Sequence, residues 1–292
     1  LRFDLNQLKT ALSQCRDQIR LGQELSQANE PSFTVHLFET VDSTNRVLWN
    51  LLDQGATEGT VTFEGTVAIA LQQQSGRGQW GRQWQSPPGG LYLSLALTPD
   101  LPVENSAQLT LCSAWGIAAA LRNYSVPVGL KWLNDLVVEK RKLGGILTET
   151  RMQQGQITQA IVGVGINWQN PVPSMGINLQ EILKQQPNPA ISSLEMLAAI
   201  ALQGMMAGYQ LWQQHGIETI LPRYQSLLTS IGHLVTIEQF GVEQPAQVTG
   251  VSAAGDLQVC LNQENPATST EISLKPGTIS LGYGNPSNSA SV

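Results

Sequence analysis

Gln72-Gln73-Gln74-Ser75-Gly76-Arg77-Gly78-Gln79-Trp80-Gly81-Arg82-Gln83-Trp84 is the stretch on which the reading of the chain turns. It follows the apolar run Thr66 to Leu71, which reads as a buried strand, and precedes Ser86-Pro87-Pro88-Gly89-Gly90, which reads as loop. The segment is therefore a long exposed loop hung on a strand. Gly76, Gly78 and Gly81 let backbone N–H groups approach a ligand, while Arg77 and Arg82 add positive charge, a combination that suits a phosphate or a carboxylate. Trp80 and Trp84 are unusual in a loop unless they cover something flat, such as adenine. The same composition also describes an RNA-binding arginine–glycine segment or a solvated turn, so the rest of the chain must arbitrate.

Working outward, 292 residues with 41% hydrophobic content suffice for one large domain and a small one. A formal charge of −6 argues against general affinity for a nucleic-acid backbone. Cys15, Cys112 and Cys260 are odd in number, widely spaced and without a CxxC pair, so they read as buried free thiols in a reducing compartment. The longest apolar stretch, Leu194 to Trp212, is interrupted by Glu195, Gln203, Gly204 and Gly208 and does not read as a membrane span. With no signal peptide visible, the expectation is a cytoplasmic protein with no membrane partner.

Residues 1–30 read as an amphipathic helix, with Leu5, Leu8, Leu12, Cys15 and Ile19 as its apolar stripe, followed by a polar linker too short to complete a DNA-binding helix-turn-helix. Phe33 to Phe38 reads as a strand, and a helix begins at Asp42-Ser43-Thr44-Asn45. Ser43 suits an N-cap, and the same hydroxyls and amide can hydrogen-bond a polar ligand. Leu91 to Leu97 is a strand and Ser106 to Tyr124 an apolar helix. Val128 to Glu149 reads as a hairpin carrying Lys131 and Lys142 among apolar neighbours, each either snorkelling or aimed at an anion. Asp135 is a turn former or a hard-oxygen ligand for magnesium. In Val162-Gly163-Val164-Gly165-Ile166-Asn167 the alternate glycines admit another backbone or a ligand. Two helices follow an irregular connection, and from Ile231 short β runs predict a small barrel of about five strands.

Asp42-Ser43-Thr44-Asn45, the loop Ser75 to Trp84, Lys131-Trp132-Leu133-Asn134-Asp135, Lys142-Leu143-Gly144-Gly145-Ile146-Leu147 and Gly163-Val164-Gly165-Ile166-Asn167 together resemble, in the same succession, the motifs of biotin–protein ligases of the type without an N-terminal DNA-binding domain. The resemblance covers about residues 33 to 284. It implies an α/β (α+β) fold in which a mixed-sheet biotin/lipoate ligase-like catalytic domain, residues 31–230, precedes an SH3-like barrel, residues 231–284, and a disordered tail, residues 285–292. Three positions depart from the usual motif: Gln79 and Trp80 stand where arginine and then a basic or small residue are common, and Leu133 where proline is usual.

The resemblance also implies a two-step reaction. Biotin attacks the α-phosphorus of ATP to give biotinyl-adenylate, and a lysine of a biotin carboxyl carrier domain then takes the acyl group. Arg77, Lys131 and Lys142 would be catalytic, neutralising charge with a magnesium ion at Asp135. By the same likeness biotin would be held by Ser43, Thr44, Asn45, Gln73, Gly76, Arg77, Gly78, Gln79, Lys142 and Gly144. ATP would be held by Arg77, Gln79, Arg82, Trp84, Lys131, Asn134 and Asn167, with Asn167 at the adenine. The carrier protein is the expected partner, DNA is not, and monomer and homodimer both remain open. The competing expectation is a lipoate or octanoate ligase or transferase of the same fold, for which the Gly-Arg-Gly loop would be out of place.

Overall fold

Leu91-Tyr92-Leu93-Ser94-Leu95-Ala96-Leu97 forms strand β3 (Leu91–Leu97), buried along its whole length. Side chains alternate across a strand, so Leu91, Leu93, Leu95 and Leu97 share one face and Tyr92, Ser94 and Ala96 the other. That division organises the molecule: the leucine face meets a helical layer, and the face of Tyr92, Ser94 and Ala96 meets one helix and a cavity. The computed structural model describes residues 3–18, 32–58, 63–239, 242–261, 269–279 and 281. The linker, Ile19 of the predicted stripe and the tail 285–292 lie outside them.

The main sheet is assembled around β3. Strands β1 (Thr34–Val41) and β2 (Thr66–Gln73) pair in parallel, the helix α2 (Thr44–Glu58) lying between them in sequence. All other pairings are antiparallel. They join β2 to β3, β3 to β8 (Gln156–Ile166), β8 to β7 (Arg141–Gln153), β7 to β6 (Asp135–Val138) and β6 to β5 (Gly129–Lys131). The strand order is β1-β2-β3-β8-β7-β6-β5, with the short β4 (Leu101–Pro102) on β8, a mixed sheet as expected.

Helices α3 (Ala107–Asn123) and α5 (Leu194–His215) cover the leucine face, joined by α6 (Ile217–Leu227) and α1 (Leu5–Gln18); the short α4 (Leu179–Leu183) lies in the connection after β8. Helix α5 is apolar almost all round because it is enclosed by α1, α3, α6 and β3. It starts at Ser193, whose Oγ accepts the Met196 N–H at 3.1 Å. Where α3 and α5 cross, Gly116, Gly204 and Gly208 meet the opposite main chain, and a Cβ on any of them would collide with backbone atoms. Helix α1 buries Leu8, Ala11 and Cys15 and packs Leu12 against the core, with Phe3 buried just ahead of it, while Leu5 is 36% exposed, so the expected stripe holds at Leu8, Leu12 and Cys15 but is rotated slightly toward Ala11. The rotation follows from its anchoring, since Glu195 on α5 accepts the Asp4 N–H at 2.9 Å and Gln203 Nε2 donates to the Leu12 carbonyl at 3.4 Å.

Beyond α6, strands β9 (Leu234–Gln239), β10 (Val242–Val251), β11 (Leu257–Leu261) and β12 (Thr270–Leu274) form an antiparallel sheet in the order β12-β11-β10-β9. Four strands stand among the described residues where about five were expected. Ile237, Ala246, Val248, Val251, Leu257, Val259 and Leu261 join the same apolar core as the main body.

Candidate active site

Two cross-strand rows make the floor of a cavity. In the first, Lys131 pairs with Asp135, Asp135 with Gly145, Gly145 with Gly165, and Gly165 with Tyr92. In the second, Leu147 pairs with Gly163, Gly163 with Ser94, and Ser94 with Ala68. Directly opposed residues point to the same face, so both rows face away from the leucine layer. The glycines leave that face open to side chains arriving from above. A Cβ on Gly163 would collide with the amide of Asn45, and one on Gly165 with the indole of Trp84. The alternate glycines therefore serve close approach, here of two side chains that line the cavity.

The cavity is about 330 Å³ and is walled by the helix start Ser43 to Asn45, the loop around Arg77 and Trp84, and the motif Lys131 to Asp135. At one end the polar groups are tied together. Gln73 Oε1 accepts the Thr44 N–H at 2.8 Å, and Gln73 Nε2 donates to Ser86 Oγ at 2.8 Å. Ser94 Oγ donates to Asn45 Oδ1 at 2.6 Å and lies 2.8 Å from Thr44 Oγ1, while Asn45 Nδ2 reaches the Leu147 carbonyl at 3.3 Å.

Four cations, Arg77, Arg82, Lys131 and Lys142, line the wall, and the two lysines flank the carboxylate of Asp135. Asp135 is 8% exposed, and its Oδ1 receives Lys142 Nζ at 2.7 Å. Lys142 Nζ also lies 5.2 Å from the centroid of the Trp84 ring. Burial pushes the Lys131 ammonium down to about 8, against the pull of Asp135 and with the neighbouring charges of Lys142 and Arg82 adding to the depression. The loop closes as a small hairpin: the Gly78 N–H donates to the Arg82 carbonyl at 2.7 Å and the Trp84 N–H to the Gly76 carbonyl at 2.9 Å. Arg77 Nη2 reaches Glu149 Oε1 at 2.8 Å, and Glu149 Oε2 accepts Trp49 Nε1 at 3.2 Å.

Of the expected site residues, Ser43, Thr44, Asn45, Gln73, Arg77, Gly78, Gln79, Arg82, Trp84, Lys131, Asn134, Asp135 and Lys142 come together in this wall. Three do not. Gly76 is buried inside the loop against the Trp84 carbonyl and Ser86 Oγ. Gly144 faces the opposite side of the sheet, where a Cβ would lie 2.6 Å from the Gly165 carbonyl oxygen, and Gly145 takes the cavity position. Asn167 sits behind the wall: its Nδ2 donates to the carbonyls of Lys142 and Ile177, both at 3.3 Å, so it fixes the backbone that presents Lys142. Asp135 offers a metal little, being a single carboxylate whose Oδ1 is committed to Lys142. Among the described residues no group of three or more His, Cys, Asp or Glu is arranged to hold an ion.

Sequence reasoning did not find Ser86, Ser94, Glu149 or the segment Pro276 to Leu281, of which Pro276, Gly277, Thr278, Ile279 and Leu281 line the cavity. Ser94 left a signal, as the one serine in a strand otherwise built of leucine, tyrosine and alanine. The C-terminal segment left none, because its place in the wall is a long-range contact.

The family model for the biotin/lipoate A/B protein ligase family matches residues 37–167, the stretch from β1 through β8 that supplies every wall but the C-terminal one. The bifunctional ligase/repressor BirA of Escherichia coli is 30% identical over 250 residues, 83% of this chain and 74% of that protein. The chain belongs to the biotin/lipoate A/B protein ligase family. Another member, the bifunctional ligase/repressor BirA of Bacillus spizizenii, is 29% identical over 199 residues, and the matched region spans 59% of that relative's length. The solved biotin protein ligase from Aquifex aeolicus, in complex with biotin and ATP, is similar with a TM-score of 0.62 and 26% identity, over 82% of this chain and 95% of that one. The mixed sheet of this family member thus agrees with a solved ligase fold, and its C-terminal four-stranded sheet is consistent with an SH3-like domain. No described helix is long and apolar enough to cross a membrane.

Proposed function

We propose that the protein is an ATP-dependent biotin–protein ligase, with residues 31–230 as its catalytic body and residues 231–284 as the C-terminal barrel. The observation that carries this reading is the cavity, lined by four cations over a glycine floor beside a hydrogen-bonded polar end. Bringing a carboxylate onto a triphosphate collects negative charge, and preorganised cations stabilise it as it moves to the departing pyrophosphate. Arg77, Lys131 and Lys142 take that part, Lys142 first pairing the biotin carboxylate and then the acyl phosphate. Ser43, Thr44, Asn45 and Gln73 hold the uncharged body of biotin. Trp84, Arg82, Gln79 and Asn134 take the nucleotide. A magnesium ion would be held chiefly by the nucleotide's own phosphate oxygens, as happens where the protein offers one carboxylate.

In the second step the neutral amine of an acceptor lysine attacks the acyl carbon, the amide forms and AMP leaves. The acceptor is a biotin carboxyl carrier domain, such as that of acetyl-CoA carboxylase. The name of a relative in Paracoccus denitrificans, biotin–[acetyl-CoA-carboxylase] ligase, supports this choice. The thiols of Cys15 and Cys112 are buried, that of Cys260 only half-buried rather than buried as expected, and none forms a disulfide, which suits a reducing, cytoplasmic compartment. The test is pyrophosphate exchange into ATP with biotin, and separately with lipoate. Exchange dependent on biotin is the expected result. Exchange with lipoate alone would move the protein to the other branch of its family, and none with either would remove the assignment.

A further inference from the structure

Trp80, at the tip of the loop, is the most unusual residue of the site. It is 65% exposed, sits in the left-handed backbone region at φ 59°, and belongs to a single 3-10 turn, Gln79–Gly81. Large aromatics are seldom left so open, and a non-glycine residue at positive φ is held there by its surroundings. What it meets is Gly277 in the turn after β12: a Cβ on that glycine would lie 2.8 Å from Trp80 Cε2 and Cζ2 and 3.1 Å from Cδ2. The indole thus lies on the bare Cα of Gly277, whose own φ is +90°.

The turn carrying Gly277 is itself fixed. The Lys275 carbonyl accepts Thr278 Oγ1 at 2.7 Å and the Thr278 N–H at 3.1 Å, and Lys275 Nζ reaches Asp256 Oδ2 at 2.9 Å. Asp256 is buried and follows Gly255, whose carbonyl accepts Trp132 Nε1 at 2.9 Å. Trp132 adjoins Lys131. A circuit of contacts therefore runs from the lysine motif through the C-terminal sheet to the loop tip, with a tryptophan meeting a glycine at each junction.

We propose that Trp80 is a positioning residue that clamps the loop Gly76 to Trp84 onto Gly277, so that the C-terminal sheet governs how long the adenylated intermediate is retained. The clamp is a feature of the protein alone, and its consequence for retention rests on the ligase reading. Both members of the contact line the cavity, and opening it would carry Arg82 on the loop away from Lys131 and Lys142 on the sheet, while Arg77 stays tied to β7 through Glu149.

Two measurements test the clamp. Amide hydrogen exchange across residues 76–84, in protein without added ligand, compares wild type with Trp80→Ala, Gly277→Ala and the double variant. Either single change should speed exchange roughly two- to tenfold, the range of one aromatic contact, and the double variant should be no faster than the singles. The dissociation rate of biotinyl-adenylate should rise by the same factor in Trp80→Ala and be partly restored in Trp80→Phe. Unchanged loop exchange in Gly277→Ala, or effects that multiply in the double variant, would overturn the clamp. A wild-type protein that binds no biotinyl-adenylate would instead remove the ligase reading, and the exchange result would still decide whether Trp80 and Gly277 act together.

Discussion

Lys142 Nζ lies 2.7 Å from Asp135 Oδ1 on the floor of the cavity, so the cation expected to meet the substrate carboxylate is also the partner of a buried protein carboxylate. Removing one member of such a pair leaves the other buried and uncompensated. Lys142→Ala is expected to lower adenylate formation at least about thirtyfold, from roughly 2–5 kcal/mol of lost charge-assisted contact, and to lower Tm as well. Asp135→Asn in the same background should recover Tm and leave adenylation low. Recovery of both would mean that the lysine serves only as counter-ion to Asp135.

Lys131 sets a pH limit. Burial lowers its pKa from 10.5 to about 8, so it is charged below that pH and neutral above it. If its charge meets the phosphates, kcat/KM for ATP falls as pH rises through about 8, because that parameter reports the free protein. Bound triphosphate favours the ammonium, and the fall in kcat therefore comes at higher pH. Lys131→Arg should remove the alkaline limb; a limb that survives the substitution belongs to another group.

The two floor glycines offer a test of how the proposed substrates divide the cavity. Gly165→Ala drives a methyl group into Trp84 and should raise KM for ATP about tenfold, whereas Gly163→Ala meets the Asn45 amide and should act on KM for biotin. Overpacking of this kind typically costs about 1–3 kcal/mol, so both variants should also melt earlier. Steady-state kinetics with each substrate varied in turn decides the matter. Equal shifts of both KM values in both variants would show that the cavity is not divided in this way.

Gln79 brings a neutral amide to the cavity wall, where the motif that the loop resembles leads one to expect an arginine. Neutral hydrogen bonds contribute roughly 0.5–1.5 kcal/mol and charge-assisted ones roughly 1.5–3 kcal/mol. Gln79→Arg should therefore slow escape of biotinyl-adenylate roughly fivefold. A rate equal to wild type would place retention in the aromatic contact of Trp80 instead.

Most of the fold was legible because its signals are local. Strand β3 was read with its actual bounds, since seven residues with apolar positions two apart can bury both faces of a strand only within a covered sheet. The cations of the site were legible for the same reason, as Lys131 stands between Leu130 and Trp132, and Lys142 opens an apolar strand run, where a charge needs a purpose. The parity of Gly144 and Gly145 was not, because a shift of register in the β6–β7 pairing decides which of two adjacent glycines faces the cavity. Nor was the part played by Asn167. Its distance from Lys142 closes only when β7 and β8 lie side by side, and its amide then serves backbone carbonyls. Gly277 was beyond reach for a further reason: nothing within a few residues of it tells that an indole arrives from residue 80.

The crossing of α3 and α5 at Gly116, Gly204 and Gly208 has a bearing on which parts of the molecule can move. Two helices that touch main chain to main chain have no side chains between them to repack, so this half behaves as an anvil behind the sheet. Whatever adjustment catalysis requires must be made on the other face, by the loop, the helix start at Ser43 and the C-terminal turn. An alanine at any of the three crossing glycines would force α3 and α5 apart. Because β3 and β7 lean on them, the displacement would reach the cavity floor with no change in any residue that meets a substrate. Loss of activity from such a remote substitution is the mark of a tool whose working edge is kept true by the stiffness of its back.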